Sequence, residues 1–348
     1  MTSAALSAEA AARRHAFLFR QGLDPRGLAP LPGDASARRY YRLKSRGILL
    51  MEETPGAPDL ERFVTISRYL TSLGLSAPRI HALDQEAGLA LIEDFGSQTF
   101  TRLFRDGHDD GPLYKLAVDA LVHLHDRAEG TRPDIGGYGF GPLDDELEMF
   151  TDWYVPQCAP AVDAVAFKQE FMGLWHEVLS DISRCRDVLV LRDYHVDNLM
   201  VIAGRKDASR CGLLDFQDGV FGSAAYDLVS LTQDARRDLA DGLEDHLVDH
   251  YLRRRPGVDR ERFLAEYWLL AAHRHTKILG NFERLSKRDG KQGYLDFIPR
   301  VQRQLLRALP KAGLTQISAL MERVLPGWES HVPILLPEAI EQKKANVA

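Results

Sequence analysis

Residues 188–201, the most informative segment of the sequence, read Val188-Leu-Val-Leu-Arg-Asp-Tyr-His-Val-Asp-Asn-Leu-Met-Val201. An apolar run that is typical of a buried strand leads to Asp193, and Asn198 stands immediately before a second apolar run. A third apolar run leads to Asp215 and Phe216. The pattern predicts a polar loop between two short strands, and a third strand that delivers another carboxylate.

These residue types, at this spacing, suit the transfer of a phosphoryl group. An Asp-x4-Asn loop followed by a strand and Asp-Phe is the arrangement of the catalytic and metal-binding loops in protein-kinase-like phosphotransferases. Asp193 is the candidate base that accepts or orients the attacking hydroxyl, while Asn198 and Asp215 offer the oxygen ligands that Mg²⁺ prefers. The alternative is an ordinary hairpin turn that is held by Asx hydrogen bonds.

The pattern of the remaining chain predicts the α+β class. Up to about residue 95, short apolar strands predominate around one amphipathic helix over residues 58–73, and from residue 96 the pattern is mainly helical. A β-rich part that is followed by a helical part predicts a small N-terminal lobe and a larger helical lobe, with the ligand between them. We expect the lobes at residues 1–95 and 96–337, and a polar tail at 338–348.

The composition excludes some classes of protein. The chain has 348 residues, and its 44 Lys and Arg against 50 Asp and Glu give a formal net charge of −6, which argues against a general nucleic-acid binder. Its apolar runs are too short for a transmembrane helix, and its three scattered cysteines favour a reducing compartment. We expect a cytoplasmic, monomeric enzyme that binds neither nucleic acid nor a membrane.

The polar loop resembles that of the aminoglycoside phosphotransferase and choline kinase superfamily, whose catalytic loop reads His-Gly-Asp-x-His-x-x-Asn. Asp193, His195 and Asn198 match this pattern, and Asp215 matches the second metal-binding Asp. Leu191-Arg192 stands where the family has His-Gly. The resemblance implies a protein-kinase-like fold, ATP as the phosphoryl donor and Mg²⁺ as the cofactor. His195 is a second catalytic candidate, or it braces the loop by hydrogen bonding.

Several separated segments resemble a narrower family, the cell-wall amino-sugar kinases that phosphorylate the anomeric hydroxyl of N-acetylmuramate and N-acetylglucosamine. They are residues 33–42, 191–200, 214–218 with 226–230, and 274–280. This resemblance implies an ATP-dependent kinase of an N-acetylated amino sugar, whose 1-phosphate product enters peptidoglycan recycling. Two alternatives remain: a kinase of another hydroxyl acceptor, such as an aminoglycoside or choline, and a nucleotide-binding pseudokinase.

The nucleotide phosphates are expected to meet a turn-rich segment near the N-terminus. Gly33, Asp34 and Ser36 form the candidate loop over the phosphates, since backbone amides and a hydroxyl can cradle phosphate oxygens. Arg38 and Arg39 follow directly, and we expect one to contact ATP and the other to be an exposed strand residue.

The next strand, residues 47–52, contains no lysine, so the Lys–Glu ion pair of protein kinases cannot form there. Met51 stands near the position that the lysine would take. Either an arginine from the preceding strand replaces it, or metal and loop hold the triphosphate. Glu61 is a candidate partner for such an arginine, or an ordinary solvated helix residue. Glu93 and Phe95, at the predicted hinge, are the expected contacts of the adenine ring.

The sugar site is expected in the helical part of the chain. Aromatic faces stack on sugar rings, carboxylates accept sugar hydroxyls, and the lactyl carboxylate of N-acetylmuramate needs a cation. Aromatic residues at helical spacing are also typical of a core, so the two interpretations compete. The candidate substrate residues are Glu146, Glu148, Trp153, Tyr154, Asp218, Tyr226, Arg274 and Lys277.

Overall fold

A computed structural model of the chain describes residues 3–32, 38–43, 46–127 and 132–332. The helices in these ranges are α1 (Ser3–Arg20), α2 (Pro58–Ser72), α3 (Phe100–Arg105), α4 (Asp110–Asp126), α5 (Phe140–Met149), α6 (Val155–Cys158), α7 (Ala164–Arg184), α8 (Ala225–Thr232), α9 (Leu243–Arg254), α10 (Arg260–Lys287), α11 (Ile298–Lys311) and α12 (Thr315–Val324). The strands are β1 (Leu28–Pro30), β2 (Arg39–Leu43), β3 (Ile48–Glu52), β4 (Ile80–Asp84), β5 (Leu89–Glu93), β6 (Val188–Val190), β7 (Leu199–Val201), β8 (Cys211–Leu213) and β9 (Val220–Gly222). No helix within these described ranges has both the length and the apolar character that crossing a membrane requires.

Internal contacts group the chain into two compact units. The first comprises residues 1–135 and 191–219, and the second comprises residues 136–190 and 220–348. The first contains the larger sheet and the second is mostly helical, which confirms the predicted α+β class. The lobe boundary after residue 95 stays a prediction, and the predicted tail at 338–348 lies outside the described residues.

The sheet of the first unit has five antiparallel strands in the order β1-β2-β3-β5-β4. Its central strands β3 and β5 are almost wholly apolar, which allows them to be buried by elements on the sheet. Phe17 and Leu18 of α1 pack with Leu50 of β3 in the core of this unit. The short strands that the pattern predicted before residue 95 are confirmed as an antiparallel sheet, and β1 is a further short strand at its edge.

The strands around the polar loop do not form one hairpin. Within the second unit β6 pairs with β9, whereas within the first unit β7 pairs with β8. The hairpin-turn alternative is therefore wrong, because the strands on either side of the loop have different partners. The described chain after residue 216 is mostly helical, as the pattern indicated, and β9 is one short strand whose apolar run satisfies its backbone by pairing with the buried β6.

Helix α10 is the longest helix of the second unit, and it makes a close approach at Gly280. A Cβ atom added there would lie 2.0 Å from the carbonyl oxygen of Met149, at the C-terminal end of α5. A π-helical turn, Phe150–Tyr154, follows that point directly. Glycine is thus required at this crossing, because any larger residue would push the two helices apart.

Candidate active site

Asp193, Asn198 and Asp215 meet within the first unit because β7 and β8 pair. The Asn198 carbonyl accepts a hydrogen bond from the Leu214 N–H at 3.0 Å, which aligns the two loops. The Asn198 side-chain amide donates to the Asp193 carbonyl at 3.0 Å, and the same nitrogen lies 3.5 Å from Oδ2 of Asp215. The structure thus brings together the three residues that the sequence pattern assigned to catalysis and metal binding.

Asp215 has a strained backbone, and other negatively charged side chains lie near its carboxylate. Its φ of 56° lies in the left-handed region, which costs a residue with a side chain about 1 kcal/mol or more. Asp215 is an exposed residue, but protein groups that partly desolvate its carboxylate raise its pKa, and the charges of Asp193 and Asp218 add to that rise. A hydrogen bond from Gln217 Nε2 at 2.9 Å and the charge of Arg38 act in the opposite direction. A cation bound here would relieve the repulsion between these carboxylates.

Arg38 takes a buried position close to this carboxylate. Its Nε donates to Glu53 at 3.0 Å, and its Nη1 donates to the side-chain oxygen of Gln217 at 2.9 Å. Arg38 and Glu53 are 5% and 7% exposed, so little solvent screens the pair. The sequence indicated an arginine in place of the missing strand lysine but not its partner Glu53. Glu61, the partner considered there, is an exposed residue in the first turn of α2.

The other residues expected at the nucleotide phosphates are either exposed or outside the described part of the chain. Arg39 is exposed, whereas its neighbour Arg38 is buried. Gly33, Asp34 and Ser36 lie outside the described residues. The phosphate-covering loop therefore stays a prediction.

The loop that carries Asp193 is anchored on both sides. Arg192 has a φ of 69°, the left-handed conformation that favours glycine, which explains the Gly of the family pattern at this position. The Tyr194 hydroxyl donates to the carbonyl of Ala117 in α4 at 2.9 Å. His195 is 6% exposed, and its Nε2 lies 3.4 Å from the Asn198 amide nitrogen. These contacts favour the bracing role of His195.

The predicted adenine-binding segment ends β5. The Glu93 N–H donates to the Arg79 carbonyl and the Asp94 N–H donates to the Gly47 carbonyl, each at 2.9 Å. Among the described residues, the Phe95 amide has no acceptor in the chain, so this backbone group is available to a ligand.

Two arginines that the sequence did not point to hold this segment. Arg205 pairs with Glu93, and its guanidinium lies 5.2 Å from the centroid of the Phe95 ring. Arg42 contacts both Asp94 oxygens, at 2.5 and 2.8 Å. No local pattern reveals these contacts, because they join strands and loops that are distant in sequence.

Four candidate substrate residues form a buried cluster in the second unit. Lys277 Nζ donates to Glu146 at 2.6 Å, and the hydroxyls of Tyr138 and Tyr226 also contact this carboxylate. The guanidinium of Arg274 lies 3.4 Å from the Tyr226 hydroxyl and over its ring. The Lys277 charge is thus balanced by Glu146, while Tyr226 and Arg274 contact each other.

The remaining candidates lie apart from this cluster. Tyr154 is fully buried, and its hydroxyl donates to the Trp328 carbonyl at 2.5 Å, a contact typical of a core. Glu148 forms an ion pair with Lys168 at 3.3 Å. Trp153 is half-buried, and Asp218 is an exposed residue of the first unit.

The donor atoms near Asp215 fit a magnesium ion that is shared with phosphate oxygens. Since the Asn198 nitrogen is engaged, its Oδ1 is the atom left to accept a ligand, beside a carboxylate whose surroundings are already negative. The described residues contain no group of three or more His, Cys, Asp or Glu side chains that could hold a metal ion. Mg²⁺ typically takes one or two protein oxygens together with substrate phosphates.

Comparisons with known proteins agree with this arrangement. A profile of the phosphotransferase enzyme family matches residues 27–264. An N-acetylmuramate/N-acetylglucosamine kinase of Caulobacter vibrioides is 34% identical, over 92% of this chain and 98% of that protein. A choline/ethanolamine kinase family protein of Mesorhizobium loti has a similar structure, with a TM-score of 0.58, 14% identity and coverage of 91% of this chain and 98% of that one. An ADP-bound aminoglycoside phosphotransferase gives a TM-score of 0.53 at 12% identity, over 84% of this chain and 98% of that one.

These similarities confirm the resemblance and the kinase-like fold that the polar loop predicted. The family match and the relative in Caulobacter vibrioides each cover most of the chain, and the similar solved structures share its fold. The protein is thus an enzyme, and the chain belongs to the phosphotransferase enzyme family.

Proposed function

We propose that this chain transfers the γ-phosphoryl group of ATP to the anomeric C1 hydroxyl of N-acetylmuramate or N-acetylglucosamine. The observation that carries the proposal is the meeting of Asp193, Asn198 and Asp215 in a chain whose relative of 34% identity has the name of a kinase of these two sugars. The 1-phosphate product would serve peptidoglycan recycling. The three cysteines form no disulfide bond, which agrees with a cytoplasmic enzyme.

In this proposal the Asp193 carboxylate accepts a hydrogen bond from the hydroxyl of the acceptor sugar. The C1 oxygen forms a bond to the γ-phosphorus, the bond to the β–γ bridging oxygen breaks, and the hydroxyl proton passes to Asp193 or to water. An anomeric hydroxyl is more acidic than an ordinary alcohol, so Asp193 acts more by orienting the hydroxyl than by deprotonating it early. Asp193→Asn is expected to lower turnover, because an amide cannot accept this proton.

Asn198 and Asp215 would hold Mg²⁺, which supplies positive charge to the phosphate oxygens when it is bound. Arg38 would contact the triphosphate and so replace the strand lysine of protein kinases, with Glu53 and Gln217 orienting its guanidinium. At the end of β5, adenine would accept a hydrogen bond from the Phe95 amide.

The sugar would use the second unit, where Glu146, Tyr226, Arg274 and Lys277 are the proposed substrate residues. We assign the lactyl carboxylate to Arg274, because a guanidinium can bind a carboxylate through two parallel N–H bonds and this one lies beside Tyr226. Loss of Arg274 is then expected to weaken the binding of N-acetylmuramate more than the binding of N-acetylglucosamine, because N-acetylglucosamine has no carboxylate.

An ADP-release assay with a panel of acceptors tests the proposal. We expect release with both free sugars in the presence of Mg²⁺, and none with their 1-O-methyl glycosides, which lack the free anomeric hydroxyl. Kanamycin and choline serve as the alternative acceptors. Turnover of either at the rate of the free sugars, or of the methyl glycosides, would contradict the proposed acceptor.

A further inference from the structure

Helix α2 contacts the loop after Asp215 through one arginine side chain. Arg62 Nε donates to the Gln217 carbonyl at 3.0 Å, and Nη2 donates to the Gly219 carbonyl at 2.9 Å. Its Nη1 donates to the carbonyl of Ile135 at 3.3 Å. Every contact of this guanidinium that the described residues provide is to a backbone carbonyl, with no carboxylate at ion-pair distance. Arg62 therefore fixes backbone and balances no acidic side chain.

The residue that follows Arg62 holds the same loop from its apolar side. The rings of Phe63 and Phe216 are stacked, with centroids 5.1 Å apart and planes inclined by 14°. Phe216 is fully buried. Two consecutive residues of α2 thus hold the residue directly after Asp215 and the carbonyls that follow it.

The loop needs such support because Asp215 is held in an unfavourable state. Its backbone is left-handed, and its carboxylate lies among other negative charges. Strain of this kind persists only where surrounding contacts overdetermine the conformation. The Arg62 contacts act on residues two and four positions beyond Asp215, so they restrict the backbone on which its carboxylate stands.

We propose that Arg62 is a positioning residue for metal binding. Its guanidinium holds the loop of residues 216–219, and the loop in turn keeps the Asp215 carboxylate in the orientation that binds the metal ion. This inference rests on the proposed function, in which Asp215 is a Mg²⁺ ligand. Residues that orient metal ligands typically account for 10–100-fold in metal affinity or activity. A lysine at this position would keep the charge, but its single ammonium group cannot match the planar three-way contact.

The test compares Arg62→Met and Arg62→Lys with Arg68→Met. Arg68 is an exposed residue of the same helix, so its variant controls for the loss of an arginine from α2. Mn²⁺ binding in the presence of ATP is followed by the electron paramagnetic resonance signal of free Mn²⁺, and turnover is measured separately over a range of Mg²⁺. Thermal melting shows that each variant is folded.

We expect Arg62→Met to raise the apparent Kd for Mn²⁺ about tenfold and to lower kcat, with the KM for the sugar nearly unchanged. Arg62→Lys should lie between this variant and the wild type. If Arg62→Met does not fold, the Arg62→Lys variant decides the question by the same measurements.

The proposal is overturned if both folded Arg62 variants bind Mn²⁺ within twofold of Arg68→Met and keep its kcat. Asp215→Asn distinguishes this failure from a failure of the proposed function. An Asp215→Asn variant that lost Mn²⁺ binding and turnover, beside unaffected Arg62 variants, would refute the role of Arg62 alone. Unchanged Mn²⁺ binding in Asp215→Asn would refute the metal assignment and the Arg62 proposal with it.

Discussion

Asp215 in the first unit and Glu146 in the second are both acidic residues with polar neighbours, but Asp215 is exposed, Glu146 is buried, and their neighbours differ in charge. Glu146 accepts hydrogen bonds from Lys277 and from tyrosine hydroxyls, so the protein itself satisfies its charge. The pKa of Asp215 is raised by partial desolvation of its carboxylate and by the carboxylates of Asp193 and Asp218. Arg38, whose charge lowers this pKa, already pairs with Glu53.

The first carboxylate thus lies among other negative charges, whereas the second forms an ion pair within the protein. Removing the carboxylate charge at Asp215 relieves repulsion in the protein alone, whereas removing it at Glu146 takes away the ion-pair partner of the half-buried Lys277. The same chemical change is therefore expected to have opposite effects on stability at the two positions.

The largest effect is expected for Asp215→Asn, which should lower kcat about 10³-fold and still stabilise the fold. Since the pKa of Asp215 is raised above its unfolded value, the unfolded chain loses this proton at lower pH than the folded chain. Stability therefore falls as the pH rises between the two pKa values, and it stays reduced at neutral pH. The neutral amide removes this loss, so its melting temperature at pH 7 without Mg²⁺ should exceed that of the wild type.

Asp59→Asn, an exposed carboxylate in the first turn of α2, is the control for this variant. It should change neither turnover nor the melting temperature appreciably. A lower melting temperature for Asp215→Asn would contradict the electrostatic account of the site, even if activity were lost.

The next effect is expected for Glu146→Gln, which should lower the free energy of unfolding by about 3 kcal/mol. The reason is that the variant removes the negative charge that Lys277 pairs with and leaves the ammonium group in a largely desolvated position. Chemical denaturation measures this loss. The double variant Glu146→Gln with Lys277→Met should lose less than the sum of the two single variants, since it removes both charges. Additive losses would show that Glu146 and Lys277 are not coupled.

Gly280→Ala tests the packing behind that cluster, where α10 meets the end of α5. The added Cβ would overlap the Met149 carbonyl, and we expect a loss of about 2 kcal/mol in unfolding free energy. Gly173→Ala in α7 is the matched control, because a Cβ there meets nothing within 4 Å. Alanine in that helix should instead stabilise by up to about 1 kcal/mol. Equal effects of the two variants would refute the close approach.

The smallest effect is expected where Arg192 replaces the glycine of the family pattern. Arg192→Gly and Arg192→Ala remove the same side chain, but only glycine adopts the left-handed backbone without a steric penalty. Arg192→Gly should be the more stable of the two by about 1 kcal/mol in chemical denaturation. If Arg192→Ala is as stable as Arg192→Gly, the loop is not strained at this residue.

Local patterns predicted the candidate catalytic residues, because Asp193 and Asp215 follow short apolar runs and Asn198 stands immediately before one. The sequence analysis did not identify Glu53 as the buried partner of Arg38, although the pairing register of strands β2 and β3 indicates it. Arg39 lies opposite Glu52 in the β2–β3 pair, so Arg38 and Glu53 are the next opposed residues. The hairpin geometry, and not the composition of α2, determines this ion pair.

The remaining contacts depend on the tertiary structure. Arg62 donates to carbonyls more than 150 positions away in the chain. Since every residue has a backbone carbonyl, the sequence does not indicate which ones a side chain contacts. Tyr154 was a candidate for the sugar because aromatic residues suit both a core and a sugar site, and its burial depends on Trp328 and Gln302. Spacing along one segment therefore reveals catalytic groups better than it reveals the residues that orient them.

The most direct test of the central claim is the ³¹P NMR spectrum of the product formed from ATP, Mg²⁺ and N-acetylmuramate. We predict a phosphomonoester resonance that is coupled to the anomeric proton, and its absence when Asp193→Asn replaces the wild-type chain. A phosphate coupled to the C6 protons, or no sugar phosphate from either N-acetylmuramate or N-acetylglucosamine, would contradict the assignment of this chain as an anomeric kinase.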